Sequence, residues 1–128
     1  DVPSIRFLGR IDDPDASSEW LGIADVMLAP GTAGLLVNHS LALGMPVVIS
    51  GGMDVLHGPE IEFVVPGETG EMFEGGAPDA AAAVASVLRR GTTMRYTAAD
   101  YARRHLGIAR WVDGMVSAID YAARPAAI

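Results

Sequence analysis

"APGTAGLLVNHSLALGMPVVIS", residues Ala29 to Ser50, reads as the end of a strand, a glycine loop, an apolar helix and a second strand. Its polar residues are few and oddly placed: Thr32 in the loop, then Asn38, His39 and Ser40 inside a greasy helix. A strand that passes through a helix to a second strand is the building unit of a parallel α/β sheet, and such sheets place ligands where strand carboxyl ends feed helix N-termini. Pro30-Gly31-Thr32-Ala33-Gly34 sits at such a point. Small residues let the backbone approach a ligand closely, and the first unpaired N–H groups of a helix attract an anion. Phosphate or diphosphate is the natural guest, although a bare tight turn has the same weak Gly-x-x-Gly pattern. Helical side chains lean toward the N-terminus, so His39 points back toward this loop. It reaches either a group attached to a bound phosphate or a neighbouring carbonyl of the core.

Working outward, short apolar runs alternate with helical patterns. Ile5–Gly9, Asp25–Pro30, Pro46–Ser50 and Gly70–Phe73 read as strands, and Ser17–Ala24, Ala33–Gly44 and Gly58–Val65 as helices. The alternation predicts an α/β, Rossmann-like parallel sheet with flanking helices. After Phe73 the pattern turns purely helical: "PDAAAAVASVLRR" begins with Pro78 and Asp79 as start signals and closes on two arginines that complement the helix dipole. "TAADYARRHLG" and "ARWVDGMVSAIDYAARP" follow, each ending at Gly or Pro, so an all-helical C-terminal tail is expected.

The 128 residues suit a single domain, 50% apolar and 20% charged, which disfavours disorder. There is no apolar run of membrane-spanning length, and the N-terminal residues lack a signal-peptide pattern. The absence of cysteine excludes disulfides and thiolate chemistry, and fits a reducing cytoplasm. A net charge of −7 with no evident basic patch argues against nucleic acid as partner. All nine cationic side chains are arginines, and Arg10 is the one close in sequence to the end of a strand. "DPD" (Asp13–Asp15) imitates a metal-binding Asp-x-Asp, but proline between aspartates is ordinary turn chemistry, and no metal is expected there.

Taken in order, "IRFLGRIDD", "ADVMLAP", "GTAGLLVNHSLALGMPVVIS", "PEIEFVVPGETGEMF" and the alanine-rich helices resemble the C-terminal, donor-binding domain of retaining, two-Rossmann-domain (GT-B type, family 4-like) glycosyltransferases. The resemblance covers nearly the whole chain. It implies a sugar transferred from a nucleotide-diphosphate-sugar donor to a saccharide or lipid-linked acceptor in bacterial surface polysaccharide or glycolipid assembly, with no separate cofactor. It also implies a cytoplasmic protein, peripheral at the inner membrane face in its full-length form. The donor would be held by Gly31, Thr32, Ala33, Gly34, Leu35 and Leu36, with the backbone amides of Ala33 to Leu36 toward the diphosphate, and by His39 on the ribose. In the family's usual Glu-Gly-Phe-Gly loop the first Glu contacts the sugar and a second, eight residues on, the ribose; Gly31 and His39 stand at those places. Arg10, Ile11 and Asp12 match the loop beside the nucleobase, where a plain surface turn is the alternative. His57 and Glu60 match a later segment, in which each touches donor or acceptor, or else Glu60 caps its own helix and His57 is exposed.

The family's catalytic Arg and Lys match no residue here, so catalytic residues within the chain are unassigned. The resemblance implies that the chain is part of a donor domain, partnered by an N-terminal part of the same enzyme or by another copy. In the family's sheet the strand at Ile5–Gly9 is separated from Asp25–Pro30 by two others, so the edge of the latter is expected to need a partner. Two other functions fit the same residues: a non-catalytic nucleotide- or phosphate-binding module, and a sugar-nucleotide epimerase-like domain.

Overall fold

The computed structural model describes residues 4–52 and 56–124. Its centre is a three-stranded, wholly parallel sheet in the order β1-β2-β3, formed by β1 (Met27–Ala29), β2 (Val47–Ser50) and β3 (Gly70–Phe73). Met27 lies opposite Val47, and Val47 opposite Gly70, so consecutive strands are neighbours. The protein is therefore α/β with a small parallel sheet and flanking helices. α1 (Pro14–Ile23) precedes β1, α2 (Leu36–Ala42) joins β1 to β2, and a short 3-10 helix (Pro59–Phe63) lies before β3. α3 (Ala77–Arg90), α4 (Thr92–His105) and α5 (Ile108–Ala122) form the helical tail. Among the described residues no helix is long and apolar enough to cross a membrane.

Alternation of side chains across the sheet divides the core in two. Met27, Val47 and Ile49 pack with Val37 and Leu41 of α2 and Ala98 and Ala102 of α4 on one face. Val48 and Phe73 pack with Val87 of α3 and Met94 on the other. Every residue of β2 is buried, which explains its unbroken apolar sequence. β3 meets β2 so closely that a Cβ on Gly70 would stand 1.8 Å from the Val47 carbonyl oxygen; only glycine fits. Thr69, fully buried, secures the approach to β3 by donating to the Phe63 carbonyl at 2.7 Å and accepting from the Val65 amide at 2.6 Å.

Three local expectations are corrected. Ile5–Gly9 is not a strand: no ladder partner is present among the described residues, and Phe7 is 95% exposed. An apolar run becomes a strand only where another strand satisfies its amides. Gly58–Val65 is not an α-helix but the shorter 3-10 helix, because Val64 bonds back to Ile61 and Thr69 takes the Val65 amide. The "DPD" turn is the first turn of α1: Asp13 Oδ1 accepts from the amides of Asp15 at 2.9 Å and Ala16 at 3.4 Å, with Pro14 in the first turn. The other end of α1 is closed by Arg95, whose guanidinium donates to the Ala24 and Gly22 carbonyls.

Candidate functional site

The carboxyl ends of the three strands converge at Pro30, Ser50 and Phe73, which line a cavity of about 650 Å³ together with Gly75, Gly76 and α3. Its walls are almost wholly apolar, from Leu28 to Val84 and Leu88. The glycine loop follows Pro30 directly. There Leu36 and Val37 donate to Ala33 and Gly34, beginning the helical turn. The amides of Thr32, Ala33, Gly34 and Leu35 have no hydrogen-bond acceptor among the described residues. Gly34 takes φ +57°, the left-handed region that glycine adopts without cost, and a Cβ on either Gly31 or Gly34 would meet nothing within 4 Å. The loop thus presents consecutive unpaired donors to open space at a strand's carboxyl end. Leu35 and Leu36 are exposed because α2 buries only the side of Val37, Ser40 and Leu41.

His39 is half-buried, and its Nε2 lies 3.2 Å from the Ser18 hydroxyl of α1. Ser18 is a neighbour the sequence gives no sign of, since the two residues approach only through the packing of α1 on α2. Asn38, one position earlier, borders a separate crevice.

The remaining expected residues divide between local and strand-end roles. Arg10 Nε donates to Asp12 at 2.6 Å in a highly exposed ion pair, and Ile11 between them is half-buried. His57 Nε2 donates to the Ser50 carbonyl at 2.6 Å, which fixes the imidazole to the carboxyl end of β2; its Nδ1 is buried without a partner among the described residues. Glu60 is buried and accepts from the Gly58 amide at 3.3 Å, so its carboxylate caps its own 3-10 helix. Gly31–Leu36 and His57 therefore share the strand-end face, whereas Arg10 and Asp12 chiefly hold each other.

No group of three or more metal-ligating side chains occurs among the described residues, and the Asp13 carboxylate is used in capping α1. The chemistry on offer is anion binding by backbone amides, beside an imidazole–hydroxyl pair able to bond a ligand hydroxyl. No protein-family model matches the chain, and no curated protein matches it significantly.

Proposed function

We propose that the chain is the donor-binding part of a retaining, GT-B-type glycosyltransferase that uses a nucleotide-diphosphate sugar. The observation that carries this reading is the run of unpaired amides from Thr32 to Leu35 at the carboxyl end of β1. Sugar transfer leaves negative charge on the departing diphosphate, and pre-oriented N–H donors in a dry site stabilise such charge strongly. The diphosphate lies across Thr32–Leu35, and the ribose reaches the His39–Ser18 pair, where imidazole and hydroxyl can each donate or accept. The acceptor is a saccharide or a lipid-linked saccharide, met at the cytoplasmic face of a membrane by the complete enzyme. No metal enters this scheme.

Gly31 favours one second reading. A loop without a carboxylate at that position lacks the group that would hold the transferred sugar, so a phosphate- or nucleotide-binding module without transfer chemistry uses the same amides. Both readings place a phosphate group on these amides, and transfer separates them. The 128-residue chain alone is expected to transfer no sugar, since missing charge stabilisers cost about a hundredfold or more each.

Calorimetric titration with nucleoside diphosphates tests the amide site. Saturable binding is expected in the parent chain and its loss in Gly34→Asp, whose side chain enters the open space over the loop with a repelling charge. Unchanged affinity in that variant would remove the loop from the account.

A further inference from the structure

Two apolar stripes of the chain are left uncovered, and they match. The first belongs to α5, every residue of which is exposed. Ile108, Trp111, Val112, Met115, Val116 and Ile119 recur at helical spacing along one side, with Arg110, Asp113, Ser117 and Asp120 away from it. Their exposure runs from 43% at Val112 to 75% at Ile108. A helix of this length is marginal in water by itself, and Gly114 with the β-branched Ile108, Val112, Val116 and Ile119 weakens it further. Its persistence calls for a surface that covers it.

The second stripe lies on α3. Ala77, Ala80, Ala81, Val84, Ala85 and Leu88 occupy the same six relative positions and, beside Leu28 of the open strand β1, line the apolar groove of about 650 Å³. Each stripe runs about 17 Å at 1.5 Å per residue. Neither carries a charged side chain. Where α5 offers large side chains, α3 offers mostly alanines, so a second helix can approach α3 closely and set its side chains against Leu28.

α5 cannot fill the groove of its own chain. Only Leu106 and Gly107 separate it from α4, Leu106 packs into the core on the α2 face, and α5 starts beside Phe63 of that face. The groove is on the opposite face, where Val84 packs with Val48 and Phe73. The sheet stands between them, so the chain carries both halves of a contact that only two copies can make.

We propose that α5 of one copy docks in the α3 groove of a second copy, and that the exchange is mutual. A two-fold axis that uses the contact twice closes the assembly as a dimer. Two helix-in-groove contacts lie at the small end of interface sizes, so the dimer is reversible and forms as concentration rises. The groove meets the glycine loop only at Pro30, and association stands apart from what the loop binds.

Sedimentation velocity from micromolar to near-millimolar chain tests it, with far-UV circular dichroism to confirm folding. A monomer–dimer equilibrium is expected. Trp111→Glu and Ala81→Glu, both at exposed positions, should each weaken it by about tenfold or more. Their equimolar mixture should regain association, because one intact α5 then meets one intact groove. Gly34→Asp should leave the equilibrium unchanged, so a failure here leaves the diphosphate reading standing, and the reverse. A chain that stays monomeric, growth into open-ended oligomers, a dimer untouched by either variant, or a mixture no more associated than its components would each overturn the assignment.

Discussion

β2 and β1 are both short, parallel and apolar, yet their surroundings differ. β2 is paired on both edges and covered on both faces, and all four of its residues are buried. Among the described residues β1 is paired on one edge only, and Leu28 at its centre is 47% exposed above the cavity beside α3. On the β1 side the apolar residues Trp20, Ile23 and Leu28 also face outward, and Ile5–Gly9 pairs with nothing among the described residues. Stability is therefore concentrated at β2, β3 and the helices over them, whereas the strand that feeds the glycine loop belongs to the open side. A ligand loop gains from that placement, because its backbone donors stay available.

This contrast can be broken most forcefully at Gly70. Gly70→Ala places a methyl group against the Val47 carbonyl and should cost about 3 kcal/mol or more, enough to separate β3 from β2; urea unfolding measures it. Next, Ile49→Ala on β2 should cost roughly 2–5 kcal/mol through a cavity, while Leu28→Ala on β1 should cost less than about 1 kcal/mol. Equal costs by urea unfolding would erase the distinction between the two strands. Asp13→Ala removes the cap of α1 and should cost about 1 kcal/mol, visible as a lower thermal midpoint.

The smallest expected effect lies on α4. The Arg104 guanidinium hydrogen-bonded to Asp100, with Arg103 beside it, holds the Asp100 carboxyl below its ordinary range. A carboxylate with a lowered folded-state pKa adds stability above the unfolded value, about 3.9, and loses it as pH falls through the folded value. Asp100→Asn should thus melt slightly below the parent at neutral pH, and the two should converge in acid. The pair is exposed, so the gap should be small and should shrink in salt.

How much of this was legible depended on how local the cause was. Pro46–Ser50 announced itself because a strand buried on both faces needs an unbroken apolar run, whereas Gly70–Phe73, with Glu71 inside it, was legible from the alternation of strand and helix patterns. The tail helices were readable from Pro78, Asp79 and the paired arginines, although α4 begins earlier than its sequence suggested, at Thr92. Ile5–Gly9 has the composition of a strand but no partner to make it one, and pairing is not written in a single segment. Within the candidate site, the glycine loop could be read from residue sizes and from its place after a strand. The contact between His39 and Ser18, and the unpartnered Asn38 Oδ1 beside α5, could not, because each depends on how separate helices pack.

The central claim is that the amides of the glycine loop bind the diphosphate of a nucleotide. Amide chemical-shift mapping of the ¹⁵N-labelled chain during titration with a nucleoside diphosphate tests it most directly. Saturable shifts should concentrate at Thr32, Ala33, Gly34 and Leu35, extend to His39, and leave α5 unmoved. Shifts absent from the loop, or centred on another part of the chain, would contradict it.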